Sequence, residues 1–371
     1  MKILVLSPLP PPSGGIASWT KNILGYYSVK QKGLKLIHQN TAIKYREITN
    51  INMFSRIVGG YRSTISVIKN LLKNIAMLDI DVIHLTSSGS FALLKDLLIL
   101  YIASKKSIPV VVHFHFGRIP QLVNNKNWEW YLLYKVIKKS NQVIVLDDTS
   151  YNLLCKEGFN NIANIANPIS IKLELLSKEL RLSEVSNYNI GRIVFIGHVV
   201  ATKGVFELVR SCIELEDVKE LVIIGSYETD IKNELEKLAN VRDNGKWLNF
   251  TGNIDKENVY KELQQATILV LPSYTEGFPN VIIEAMAMGC PVIGTAVGAI
   301  PEMLDVKTDI PCGICVPPMN ILELSSSIKT LLENKNLRDL FKERAIHKVL
   351  NSYTLDSLSK KYETLWFSCN Q

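Results

Sequence analysis

Two glutamates stand seven residues apart in the string Ser273-Tyr-Thr-Glu276-Gly277-Phe278-Pro279-Asn280-Val-Ile-Ile-Glu284-Ala-Met-Ala-Met-Gly289-Cys-Pro291. A carboxylate accepts two hydrogen bonds at once, so each suits a vicinal diol such as a ribose or the hydroxyls of a sugar. The apolar run Ile268–Leu271 reads as a strand that enters a Gly/Pro loop, and a helix is expected to begin near Pro279. Free amides at that helix start are a ready site for a diphosphate. The plainer reading makes Glu276 a helix cap and Glu284 a solvated helix residue.

A second constellation follows the strand-like Arg192-Ile-Val-Phe-Ile-Gly197, namely His198-Val-Val-Ala-Thr-Lys203-Gly204. A lysine in a strand-to-helix loop can neutralise charge that builds on a departing diphosphate. Near the start, Pro10-Pro-Pro-Ser13-Gly14-Gly15 puts two glycines where another group can approach the backbone closely. In Val110-Val-Val-His113-Phe114-His115-Phe-Gly117-Arg118, strand alternation sets His113 and His115 on one face. His115 falls at the carboxyl end of that strand, whereas His113 lies deeper and reads as a core histidine. Arg118 is either a contact for a phosphorylated acceptor or a surface arginine.

These residues need a scaffold that gathers strand ends. Strand patterns alternate with helical ones throughout: Ile3–Ser7, Val82–Thr86, Val110–His115 and Val143–Leu146, with helices at Phe91–Ser104 and Trp128–Lys139. The pattern restarts at Arg192–Gly197 and runs through Leu221–Gly225, Asn249–Thr251, Ile268–Pro272, Pro291–Thr295 and Gly313–Val316. The expected fold is α/β, two Rossmann-like domains facing each other across a cleft, with parallel sheets of one shared topology. The expected divisions are an N-terminal acceptor domain over 1–168, a linker over 169–189, a nucleotide-sugar domain over 190–350 and a last segment, 351–371, crossing back to the first domain. Open parallel sheets bind ligands at the carboxyl ends of their strands. By that criterion Asp79-Ile-Asp81 sits at the wrong sheet edge for a metal, and Asp147-Asp148 is better explained by a helix cap from Asp148 or Thr149. Cys312-Gly-Ile-Cys315 lacks the second pair a structural zinc needs, so no metal site is expected.

The Glu276–Glu284 string resembles the E-x7-E region of retaining glycosyltransferases of family four, which have the GT-B fold. The likeness continues through Pro291-Val-Ile-Gly-Thr-Ala-Val-Gly298-Ala-Ile-Pro301-Glu302 and Gly313-Ile-Cys-Val-Pro-Pro318. The resemblance implies that Glu276 contacts the transferred sugar and Glu284 the nucleotide ribose. It implies that the backbone at Gly277, Phe278 and Asn280 approaches the diphosphate, that Gly15 closes over it, and that His115 stands near the sugar. Lys203 matches the family's Lys-Gly pair. His198 stands where the family carries Arg, and histidine cannot form a bidentate fork. The implied co-substrate is a UDP-sugar or GDP-sugar, with no other cofactor.

The chain has 371 residues, 47% hydrophobic and 21% charged, which fits two globular domains and excludes a disordered or repetitive chain. Its net charge of +7 is unevenly spread: residues 1–170 hold 20 Lys/Arg against 8 Asp/Glu, and the remainder 22 against 27. A basic half suits a polyanionic partner. The acid-free segment Ile48–Leu78 carries Arg56, Arg62, Lys69 and Lys73 among apolar residues and reads either as a helix lying on anionic lipid or as one packed on its own domain. No basic-aromatic module for nucleic acid is visible. Six scattered cysteines and no export signal point to the cytoplasm, with the protein peripheral on the inner face of the cytoplasmic membrane. The expectation is transfer of a sugar from a nucleoside-diphosphate donor to a saccharide, lipid-linked acceptor in cell-surface polysaccharide or O-antigen assembly. The alternatives are a non-catalytic subunit that binds nucleotide sugar or membrane, and a sugar-nucleotide epimerase.

Overall fold

The computed structural model describes residues 1–10, 14–30, 33–42, 53–182 and 188–369, with side chains of 53–62 left aside. The chain divides into two compact units, Met1–Pro168 with Leu355–Gln371, and Ile169–Thr354.

The first unit runs β1 (Lys2–Ser7), α1 (Gly15–Val29), β2 (Lys35–Asn40), α2 (Met53–Met77), β3 (Val82–Ser87), α3 (Ala92–Lys105), β4 (Val110–Phe114), α4 (Ile119–Asn125), α5 (Trp128–Lys139), β5 (Gln142–Val145), α6 (Asp148–Lys156) and β6 (Ile162–Asn164). Its six strands are parallel in the order β2-β1-β3-β4-β5-β6. Continuous apolar strands such as Ile3–Leu6 and Val110–Val112 are buried because helices cover both faces. One face packs on α2, α3, α5 and α6 through residues such as Leu71, Leu100, Leu133 and Leu154. The other packs on α1 and the final helix, where Trp19, Tyr27, Tyr362 and Trp366 meet Ile3, Val5 and Ile144.

The second unit runs α7 (Ile171–Leu182), β7 (Arg192–Ile196), α8 (Val205–Ile213), β8 (Glu220–Ile224), α9 (Thr229–Ala239), β9 (Leu248–Gly252), α10 (Lys256–Gln265), β10 (Ile268–Leu271), α11 (Asn280–Ala287), β11 (Val292–Thr295), α12 (Ile300–Met303), β12 (Ile314–Val316), α13 (Ile321–Glu333) and α14 (Lys335–Ser352). Helix α15 (Leu355–Ser368) then rejoins the first unit, where Trp366 Nε1 donates to His84 Nδ1 at 3.1 Å and Trp19 Nε1 to Tyr362 Oη at 2.9 Å. The second sheet is also parallel, in the order β12-β11-β10-β7-β8-β9.

Several expectations are corrected. The stretch 169–189 is not a bare linker: α7 occupies most of its described part, with Leu173 and Ser177 buried, and belongs to the second unit. Strands β2 and β6 escape the sequence reading because Lys35–Asn40 is polar and Ile162–Asn164 has only three residues. The two sheets share an architecture but not a strand order, since direction reverses between β1 and β3 in one and between β7 and β10 in the other. Of the acid-free segment 48–78, residues 48–52 lie outside the described residues. From Ser63 onward α2 buries Val67 and Leu71 and exposes Ile65, Lys69, Leu72 and Lys73.

Candidate functional site

In an open parallel sheet, the loops that follow the two strands flanking a reversal of strand order diverge and leave a crevice. In the second unit those loops follow β7 and β10, and they carry Lys203 and Glu276. The reversal therefore brings together two residues 73 positions apart in sequence: Lys203 Nζ donates to Glu276 Oε1 at 2.5 Å. The same oxygen accepts from Ser273 Oγ at 2.7 Å. The pair is only partly screened, with 28% of the Lys203 side chain and 11% of the Glu276 side chain exposed.

Backbone contacts fix the two loops to each other. Tyr274 N donates to Thr202 O at 2.9 Å, and the Tyr274 hydroxyl donates to Glu207 on α8 at 2.8 Å. Burial, with Glu207 alongside, raises the Tyr274 phenol to about 12, so it stays protonated as that donor. Gly204 has φ +70°, and a Cβ there would lie 2.1 Å from the Pro272 carbonyl oxygen. A third loop, after β11, braces Glu276 from behind. Ala299 N donates to Gly277 O at 2.9 Å, and Gly298, at φ +54°, passes so close that a Cβ would lie 2.3 Å from the Glu276 carbonyl oxygen.

Helix α11 begins at Asn280, with Pro279 at its cap position, where a proline side chain makes no cap hydrogen bond, and Ile282 N donates to Pro279 O at 3.0 Å. The positive end of its dipole points at the carboxyl edge of the sheet, where an anion is favoured. Glu284 lies one turn in, 8% exposed, and pairs with Lys256, the first residue of α10. Gly277 and Phe278 occupy the loop before the helix, and the Phe278 ring meets Tyr353 edge-on. His198 is exposed after β7 and bonds Ser226 at the end of β8, Nδ1 to Oγ 2.6 Å. Lys256 and Ser226 are absent from the sequence reading, and Ser273 stands in its first string without a role of its own. Lys256 follows β9 at the same sheet edge, so the strand-end criterion applied to every loop would have found it.

In the first unit, Gly15 opens α1 and is exposed, while Pro11–Ser13 lie outside the described residues. His115 directly follows β4. Its ring is 3.9 Å from that of His113 and 5.6 Å from that of Trp19, and neither ring nitrogen has a hydrogen-bond partner or reaches solvent. Burial, with His84 nearby, lowers His115 to about 3. A neutral, desolvated imidazole retains one donor and one acceptor for a polar ligand group. His113 is fully buried, and desolvation holds it well below its ordinary value.

The remaining motifs are structural. Arg118, read from sequence as either an acceptor contact or a surface arginine, donates to Glu129 at 2.6 Å and to Ser90 at 2.7 Å, which ties the start of α3 to α5. The cap of α6 is Asp147, accepting from Ser150 N, and not Asp148 or Thr149. Asp81 accepts from Lys2 N at 2.6 Å and Asp79 pairs with Lys2, at the amino edge of the sheet. Cys312 and Cys315 are free thiols that burial pushes up to about 12. Among the described residues no group of His, Cys, Asp and Glu is arranged to hold a metal ion, and no helix is long and apolar enough to cross a membrane.

A second unit with the 3-2-1-4-5-6 strand order, and with anionic and cationic groups at its reversal point, has the form of a Rossmann-like domain. Residues 178–348 match the family described as glycosyl transferases group 1, and residues 37–173 the one described as glycosyltransferase family 4. The chain belongs to the family-four glycosyltransferases of GT-B fold. It is 26% identical over 352 residues to an uncharacterised glycosyltransferase, MJ1178, of Methanocaldococcus jannaschii, covering 91% of this chain and 90% of that one. With the putative teichuronic acid biosynthesis glycosyltransferase TuaC of Bacillus subtilis it shares 34% identity over 110 residues, 30% of this chain and 26% of the relative. The structure of Anabaena HepE in complex with UDP has the same fold, with TM-score 0.72 at 16% identity over 99% of this chain and 100% of that one.

Proposed function

We propose that this chain transfers a sugar from a nucleoside-diphosphate donor, a UDP-sugar or GDP-sugar, to a saccharide acceptor, with retention of anomeric configuration and without a metal. The observation that carries the proposal is the Lys203–Glu276 pair at the strand-order reversal, beside the start of α11. As the sugar–phosphate bond breaks, negative charge grows on the diphosphate. Lys203 and the α11 amides supply positive charge in fixed positions, so little reorganisation is needed at that moment. Glu276 orients Lys203 and offers its second oxygen to sugar hydroxyls. Glu284, held by Lys256, receives the ribose diol. In the first unit, His115 is a neutral imidazole just after β4 at the carboxyl edge of the sheet, and Gly15 opens α1; both are assigned to the donor side of the reaction. That HepE is described with UDP supports a nucleotide donor, and that TuaC is named for teichuronic acid biosynthesis supports a saccharide acceptor; a lipid-linked acceptor in cell-surface polysaccharide assembly is part of the proposal.

The test is binding of UDP, GDP, ADP and CMP, each with and without EDTA, to wild type and Glu284→Ala, followed by turnover of the matching sugar donors. Selective, EDTA-insensitive binding weakened by Glu284→Ala is the expected result. Wild type that binds none of them, or a variant that binds as well as wild type, overturns the donor placement. Conversion of the donor to an isomer with no acceptor present overturns transfer in favour of epimerisation.

A further inference from the structure

Helices α3 and α5 lie side by side on one face of the first sheet, each burying one stripe: Leu93, Ile99, Leu100 and Ala103 on α3, and Trp130, Leu133, Val136 and Ile137 on α5. Their outward stripes are also apolar, which an ordinary solvent-facing helix is not. Along α3 the exposed residues Phe91, Leu94, Leu98 and Tyr101 recur at helical spacing, and Trp128 and Tyr131 do the same on α5. The two stripes join at their N-terminal ends, where the Phe91 and Trp128 rings stack 5.2 Å apart at 28°.

The charges around this face have one sign. Each helix has a single carboxylate, and both are turned inward: Asp96 accepts from Ser87, and Glu129 pairs with Arg118. The exposed charges on these helices are lysines: Lys105 on α3, with Lys106 just beyond it, and Lys135, Lys138 and Lys139 on α5. Lys105 Nζ lies 5.6 Å from the Tyr101 ring centre.

We propose that the α3–α5 face docks on an anionic lipid surface. Trp and Tyr partition to the headgroup level, where an apolar ring body and a polar tip are both satisfied. Lysines on the same face gain from the negative surface potential and extend their stems along apolar neighbours. The core of an interface between protein copies is depleted in lysine, so this composition fits lipid better than a second copy of the chain. The face ends at Phe91 and Trp128, where α3 and α5 begin, which is the carboxyl edge of the sheet and the edge that carries His115. The assignment rests on α3 and α5 alone and stands whether or not the chain transfers a sugar.

Four of the five tryptophans are 4% exposed or less, whereas Trp128 is 52% exposed, so it is a built-in reporter. The experiment is co-sedimentation and tryptophan emission of the full chain. One set of vesicles is phosphatidylcholine and another has about a third phosphatidylglycerol. Expected are binding to the anionic vesicles that weakens with salt, a blue shift, and quenching by brominated lipid. Phe91→Ser with Trp128→Ser, and separately Lys135→Gln with Lys138→Gln and Lys139→Gln, should each lower partitioning about tenfold. Trp128→Phe should bind and lose the quenching, which separates lost docking from lost folding. Wild type that ignores anionic vesicles, or variants that bind as wild type does, overturns the proposal. So does loss of binding on Leu72→Ser with Lys73→Gln in α2 alone, or a concentration-dependent dimer that Phe91→Ser with Trp128→Ser abolishes.

Discussion

Lys203 and Glu276 meet at 2.5 Å across the point where strand order reverses in the second sheet, although 73 residues separate them in the chain. Neither residue sits on a regular element of the α/β scaffold: Lys203 ends a short 3-10 turn after β7, and Glu276 lies in the loop before α11. The Ser273 hydroxyl fixes the carboxylate oxygen that holds the lysine. If the pair serves a departing diphosphate, Lys203→Ala should lower turnover by roughly 10²–10³ with little change in donor affinity, because the charge it meets is largest in the transition state. Glu276→Gln keeps the hydrogen bond from Ser273 and loses the ionic hold on Lys203, so it should lower turnover also. Steady-state kcat and KM for the donor, measured on both variants, check this.

Lys256 and Glu284 give a contrasting expectation. Glu284 is largely buried while more than half of the Lys256 side chain is in solvent, so water already screens the pair from one side. Glu284→Ala removes the group offered to the ribose and should weaken nucleoside-diphosphate binding about tenfold or more, the worth of a charged hydrogen bond or two. Lys256→Met should weaken it less, by freeing Glu284 to rotate. Calorimetric titration of the two variants with the same diphosphate orders them.

Gly298 tests the brace behind Glu276. Its φ of +54° is a conformation that L side chains rarely adopt, and an added Cβ would fall 2.3 Å from one backbone oxygen and 2.7 Å from the next. Neither oxygen belongs to a side chain that could swing away. Gly298→Ala should therefore destabilise the protein by about 2–3 kcal/mol. It should also displace Glu276, so activity should fall further than the loss of folded protein explains. Thermal unfolding and specific activity of the remaining folded fraction separate the two effects.

The parts of this protein legible in the sequence are those with a strong local signature. Helix α5 carries its own cap, Asn127, and a clean apolar period, and its bounds coincide with the expected Trp128–Lys139. The buried strands β4 and β10 are short apolar runs flanked by turn residues, visible for the same reason. Strand β2 is polar because it forms one edge of its sheet, so periodicity does not mark it. Pairings between distant loops were not legible at all: Lys203 and Glu276 were each singled out, but only strand order puts them together. Lys256 was missed because the lysine itself has no motif, and its meaning comes from Glu284 28 residues away. Asp147 was passed over for Asp148 because adjacent aspartates are equivalent in sequence, and only backbone geometry decides which one caps.

The anchoring of α15 predicts a pH dependence of stability. Trp366 donates to His84 Nδ1, so His84 must be neutral with its proton on Nε2, and that atom has no partner. The rings around it are Trp19, His113, Tyr362 and Trp366, with no carboxylate among these contacts to favour the imidazolium. Burial accordingly lowers His84 to about 3. A base whose folded value lies below its unfolded one contributes stability above the unfolded value, about 6.5, and loses it as pH falls from there towards 3. At pH 5.5 the loss from His84 is about 1.4 kcal/mol, one decade below the unfolded value. His113 is shifted in the same direction by burial and by its neighbouring histidines, and adds to the loss. The Tm should thus fall between pH 7 and pH 5, with the tryptophan signal of Trp19 and Trp366 changing in the same window. His84→Phe should remove the His84 share of that fall, leaving the shares of His113 and His115, while giving up the Trp366 hydrogen bond at neutral pH. A Tm independent of pH over this range in the wild type would mean that α15 is not held through a neutral His84.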